Sequence, residues 1–202
     1  MHGMAGVIPI NYEIVFEPLF HNFKFNGEEI ITLNLSKPTN SIILDAAELS
    51  IKESHITQGR KIIPAKSSLN EKNEKLTIKL AKKIKGKVKL SIKFTGTLND
   101  RLLGFYRSQY KDKKGKTKYL ATTQFEAADA RRAFPCWDEP AVKATFDVSL
   151  LVDKHLDAIS NMPVASKKIV GSKILYKFGR TPVMSTYLLY LGVGEFEYLH
   201  GK

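Results

Sequence analysis

The chain has 202 residues, 43% of them apolar and 26% charged, which is enough to bury a core without disulfide or metal staples and too apolar for a disordered chain. Its 32 basic and 20 acidic residues leave a net charge of +12, so a polyanionic partner has to be considered. No apolar run approaches the ~20 residues of a spanning helix, so no helical membrane crossing is expected.

In chain order, period-two alternation of apolar and polar residues dominates. Strands are expected over Asn11 to Phe16 and Phe23 to Leu35, with Gly27 marking a hairpin or a bulge. Further short strands are read at Ser41 to Leu44, Ile51 to Thr57 and Lys61 to Ile63, the last ending at Pro64. Ser67 to Lys75 reads as a polar connection, followed by alternation over Leu76 to Leu80 and again over Lys82 to Phe94. In the latter, Lys83, Lys85, Lys87, Lys89 and Lys93 form a wet face. Only six of the basic residues are Arg, so this face reads as a solvated, pairing-resistant sheet surface rather than a nucleic-acid stripe.

Lys111 to Lys116 is a charged hairpin tip. Beyond it, strands are expected over Lys118 to Phe125, Thr145 to Val152, Ala158 to Asn161, Ile174 to Phe178 and Tyr187 to Phe196. Helical signal is confined to a couple of turns in Glu126 to Phe134 and one in Asp153 to Leu156. The fold class is therefore all-β: many strands in a sandwich-like pair of sheets with very little helix, and no linker or repeat dividing residues 1–202.

The start of the chain lacks the basic and apolar regions of a secretory signal, and a single cysteine, Cys136, suits a reducing compartment; both point to the cytoplasm. Cys136 reads as a small packing residue. The five histidines never fall at i, i+4, and no serine elbow or phosphate loop is present, so no metal ligand or catalytic residue is assigned in this chain.

The segment Thr122 to Pro140 is dense in polar and conformationally special residues. If Tyr119 to Glu126 is a strand, Thr122, Gln124 and Glu126 share one face, with Gln124 and Glu126 roughly 7 Å apart at about 3.3 Å rise per residue. A carboxylate and an amide so placed can grip two parts of one small polar ligand, an ammonium group included. Exposed Gln and Glu are also ordinary on an open sheet face. Asp129, Arg131, Arg132, Asp138 and Glu139 are close enough in sequence to form an ion-pair network holding an irregular loop, and Trp137 reads as its anchor.

The stretch Gln124 to Pro140 resembles the signature of the N-terminal domain of gluzincin zinc aminopeptidases, the family of aminopeptidase N and puromycin-sensitive aminopeptidase. Three more segments match in order: Phe94 to Asp100 with Leu103 to Ser108, Ala158 to Pro163, and Thr181 to Tyr190. The resemblance implies a saddle-shaped β domain that covers a catalytic domain of the same polypeptide. It implies zinc in the full-length enzyme, with none bound by this chain, which should be inactive alone. It also implies that Glu126 contacts the α-ammonium of a peptide substrate's N-terminus and that Gln124 lines the pocket for the first side chain. The alternative is a stand-alone basic β module that binds a polyanion or protein partner through the lysine face.

Overall fold

The computed structural model describes residues 6–199. Thirteen strands follow one another: β1 (Val7–Leu19), β2 (Lys24–Asp45), β3 (Ser50–Gln58), β4 (Lys61–Asn70), β5 (Lys75–Thr97), β6 (Gly104–Lys111), β7 (Thr117–Gln124), β8 (Lys143–Asp153), β9 (Asp157–Ser160), β10 (Val164–Val170), β11 (Lys173–Phe178), β12 (Met184–Ser185) and β13 (Leu191–Gly194). Helix is limited to three 3-10 turns, at Glu71–Asn73, Ala130–Arg132 and Thr186–Leu188. The fold is all-β.

A nine-stranded sheet runs β10-β11-β8-β1-β2-β5-β3-β4, with β12 added to β8, and a four-stranded sheet runs β6-β7-β13-β9. Among the described strands every ladder is antiparallel except one: β1 lies parallel to β8, from Asn11 opposite Thr145 to Phe16 opposite Leu150. Alternation along β1 and β8 turns Tyr12, Ile14 and Phe16, and Ala144, Phe146, Val148 and Leu150, to the buried side. The two sheets meet through aromatic side chains. Phe105 of β6 lies 5.7 Å from Phe16 and 5.2 Å from Phe25, ring centre to ring centre; within the larger sheet Tyr12 of β1 stacks on Phe146 of β8 at 4.9 Å.

Several expectations are corrected. The two stretches read as separate strands at Leu76 to Leu80 and Lys82 to Phe94 are one strand, β5, of 23 residues. Its alternation falters at Ala81 to Lys83, all exposed, and resumes in the same phase through Ile84, Gly86 (φ +90°) and Val88 without ending the strand. Gly27 marks neither hairpin nor bulge: the β1–β2 register passes through it regularly, and β2 runs on to absorb Ser41 to Leu44. Pro64 does not end its strand. It sits where β4 changes partner, from β3 (His55 opposite Pro64) to β5 (Ala65 opposite Leu80), and there a missing N–H costs little. Most of the expected polar connection at Ser67 to Lys75 is strand, leaving one 3-10 turn capped by Asn70, whose Oδ1 accepts the Asn73 N–H at 3.1 Å.

Tyr187 to Phe196, expected as one strand, is a 3-10 turn followed by the four-residue β13. Strands β6 and β10 were not anticipated; β10 is exposed at every residue and so carries no alternation.

Candidate functional site

The candidate residues lie at the end of β7, an inner strand of the smaller sheet. β7 pairs with β6, Gly104 opposite Gln124, and with β13, Gly192 opposite Thr122. Ala121, Thr123 and Phe125 are buried, whereas Thr122 is half-buried and Gln124 and Glu126 are exposed. The expected alternation therefore holds through Glu126. The expected strand does not: β7 ends at Gln124, because the Phe125 carbonyl accepts the Asp129 N–H at 2.9 Å and starts a turn into the 3-10 helix at Ala130–Arg132. Glu126 belongs to that turn, and its peptide bond to Ala127 is cis.

What fixes this corner is the loop behind it. Phe125 is wholly buried, 6.1 Å from Phe134 between ring centres. Cys136 bridges to Asp45 through two backbone hydrogen bonds, Asp45 N–H to Cys136 O at 2.7 Å and Cys136 N–H to Asp45 O at 3.0 Å. Gly104, at φ +68°, is required opposite Gln124, since a Cβ there would stand 2.9 Å from the Arg132 Cβ.

The anticipated ion-pair network exists and is larger than expected. Asp138 accepts the backbone N–H and Nε of Arg131 on Oδ2, at 3.2 and 3.1 Å, and the Thr186 hydroxyl on Oδ1 at 3.0 Å. Arg132 donates Nε to Asp129 at 2.8 Å and Nη1 to Glu48 at 2.6 Å. Glu74 spans both guanidinium groups, one carboxylate oxygen to each at 3.1 Å. Asp45 pairs with Lys75 and accepts the Asp138 N–H at 3.0 Å. Burial disfavours the Arg131 charge, but the hydrogen bond to Asp138 and the nearby Asp45 outweigh it, so its pKa is raised. Glu139, expected in the network, enters no ion pair among the described residues, and neither does Glu126. Trp137 is buried as expected of an anchor, although its Nε1 has no hydrogen-bond partner.

Sequence reasoning missed Glu48 and Glu74. Both stand in tight turns at positive φ, 57° and 52°, far along the chain from the arginines they bind, and nothing local marks them. It also missed Tyr190. The Tyr190 hydroxyl accepts from the Thr122 hydroxyl at 3.2 Å, and Gly192 leaves room for that ring, because a Cβ there would lie 2.9 Å from the phenol oxygen. The Tyr190 N–H donates to Asn161 Oδ1 at 2.8 Å, and Ser185 donates to the Pro140 carbonyl at 2.6 Å. Asn161 and Tyr190 thus meet beside β13 of the smaller sheet, while Ser185 ties the Pro140 loop to β12 on the larger one.

Among the described residues no group of three or more His, Cys, Asp and Glu side chains could hold a metal ion. The acidic cluster around Asp45, Glu74 and Asp138 is already matched by Arg131, Arg132 and Lys75. Burial, together with the charges of Asp138, Glu29 and Asp45, pushes the Cys136 thiol well up, away from the thiolate that a soft metal needs. The described residues therefore offer no ready zinc site.

This geometry is that of an all-β domain without a metal-binding cluster among the described residues, and comparison gives its family. The pattern of the Peptidase M1 N-terminal domain matches residues 8–188, and the chain belongs to that family. It is 43% identical over 195 residues to aminopeptidase M1-D of Oryza sativa subsp. japonica, covering 96% of this chain and 22% of the relative. It is 44% identical over 199 residues to puromycin-sensitive aminopeptidase of Caenorhabditis elegans (96% and 21%), and 41% over 203 residues to alanine/arginine aminopeptidase of Saccharomyces cerevisiae (98% and 23%). The chain spans about a fifth of the length of these relatives.

Proposed function

We propose that residues 1–202 are the N-terminal β domain of a cytoplasmic zinc aminopeptidase, and that Glu126 and Gln124 bind the free N-terminus of its peptide substrate. Glu126 takes the α-ammonium and Gln124 faces the first side chain. The observation that carries this reading is the contrast at the end of β7: Asp129 and Asp138 are held by Arg132 and Arg131, while the Glu126 carboxylate, two residues beyond the exposed Gln124, is exposed and outside every ion pair among the described residues. A carboxylate left open beside an amide suits a primary ammonium, and a covering second domain would desolvate the contact and strengthen it.

That second domain, the catalytic domain of the same polypeptide, supplies the hydrolytic chemistry and holds the zinc; the described residues of this chain include no group of three or more His, Cys, Asp and Glu that could hold it. The relatives' names and their roughly five-fold greater length support this division. The single buried cysteine is in keeping with a cytoplasmic setting.

The test is Glu126→Gln in the full-length enzyme. A charge-assisted hydrogen bond contributes about 1.5–3 kcal/mol, so kcat/KM for an unblocked aminoacyl amide should fall about 10- to 100-fold. An unchanged kcat/KM sinks the assignment. Hydrolysis of the same amide by residues 1–202 alone would sink the division of labour.

A further inference from the structure

The sequence places its lysine face at Lys83 to Lys93, but the structure divides that face in two. Lys89 pairs with Glu13 at 3.2 Å, and Lys93 with Glu53 and Glu28 at 3.5 and 3.9 Å. At the other end of β5, Lys79, Lys82, Lys83, Lys85 and Lys87, with Lys66 of β4, are all exposed and enter no ion pair among the described residues.

Two features make this end more than a solvated face. First, Lys66 and Lys79 stand directly opposite each other across the β4–β5 ladder, an arrangement that repels unless an anion lies between them. Beside them on the same face are Pro64 and Ala81, and the four residues, with Ala65 and the buried Leu80, line a groove of about 370 Å³ with a largely apolar wall. Second, the ladders part here. β4 leaves β5 at Leu80 and β3 joins it only at Lys89, so Ala81 to Val88 has no strand partner on that side. The Lys85 carbonyl instead accepts the Gln58 side-chain amide at 2.8 Å.

We propose that this end of the sheet is a docking site for an acidic, extended segment of a partner protein. A carboxylate of that segment sits between Lys66 and Lys79, and small apolar side chains rest on the exposed Pro64 and Ala81, which alternation puts on the same face. Charge complementarity selects an acidic partner. The apolar wall and the absence of Arg and aromatic residues among the lining side chains favour a peptide over a nucleic acid or a lipid surface.

The experiment measures fluorescence anisotropy of a labelled peptide of alternating Glu and Ala added to the 202-residue chain at low salt, beside a single-stranded oligonucleotide and phosphatidylserine vesicles. The expected result is saturable peptide binding, weakened about tenfold or more by Lys66→Glu with Lys79→Glu. The control, Lys114→Glu with Lys116→Glu at the exposed β6–β7 hairpin tip, makes the same change in net charge and should leave binding nearly intact. If the double reversal fails to fold, as judged by circular dichroism, Lys66→Gln with Lys79→Gln serves in its place. Equal weakening by both pairs, no binding at low salt, or tighter binding to the oligonucleotide or the vesicles overturns the proposal.

Discussion

One carboxylate oxygen of Asp138 accepts both the backbone N–H and the Nε of Arg131, at 3.2 and 3.1 Å. The pair is largely enclosed, with the Asp138 side chain 1% and the Arg131 side chain 16% exposed. Because both charges have largely left water, removing Asp138 leaves the Arg131 Nε and backbone N–H unpaired, with only Glu74 and the more distant Asp45 to balance the guanidinium on its Nη1 side. Asp138→Ala should therefore cost about 3–5 kcal/mol, the usual penalty for breaking a buried pair. Urea unfolding at neutral pH checks this through a lower midpoint with an unchanged slope.

Phe25 and Gly96, and Gly27 and Phe94, are register partners on β2 and β5, so that each ring covers the glycine opposite. A Cβ on Gly27 would come within 2.1 Å of the Phe94 ring, and one on Gly96 within 2.2 Å of Phe25. Neither glycine has a positive φ, so the requirement is space rather than backbone conformation. Gly27→Ala should destabilise by about 1–3 kcal/mol as Phe94 is displaced, as overpacking does elsewhere. The double variant Gly27→Ala with Phe94→Leu should recover part of that loss, measured as a coupling energy in a double-mutant cycle.

Glu29 is wholly buried on β2, opposite Ile14 of β1 and Ile92 of β5, and neither carboxylate oxygen has a hydrogen-bond partner. Desolvation raises its pKa well above the ordinary 4.5. The folded state thus holds a proton that the unfolded state releases, and the resulting stability, complete below 4.5, is lost as pH rises toward the folded pKa. Asp147 acts in the opposite sense. Hydrogen bonding to Arg180 lowers its pKa from 3.8, so its contribution is present above that value and lost as pH falls through the folded pKa. Glu29→Leu should therefore raise unfolding free energy more at pH 8 than at pH 5, read from urea curves at both; an equal change at both would refute buried protonation.

The alternation that made the strands legible is a burial signal, and it was readable wherever one face of a strand is buried, as at Thr145 to Val152 in β8. It failed where burial does not alternate. β10 is exposed on both faces, and β5 passes through Ala81 to Lys83, which are all exposed. Tyr187 to Phe196 looked continuous, but hydrogen bonds from Tyr190 N–H and to the Leu188 carbonyl by Asn161 divert the chain between its 3-10 turn and β13.

At the candidate site, the shared exposure of Gln124 and Glu126 was legible from the same alternation, as was pairing of Arg131 and Arg132 with nearby acids. Their binding role rests on the resemblance. Glu48 and Glu74 were hidden because long-range pairing leaves no trace at the scale of a local window.

The parallel contact between β1 and β8 is the seam of the larger sheet. Strands β1 to β5 can assemble from the first half of the chain, and β8, β10 and β11 from the second, but six register pairs from Asn11–Thr145 to Phe16–Leu150 join them. On the ribosome, β1 thus waits with one edge open until Lys143–Asp153 has been made. Its exposed edge over that interval is an invitation to mispair with other nascent strands, so the yield of folded protein is governed by how quickly a strand more than 130 residues away arrives, rather than by the final stability of the sheet.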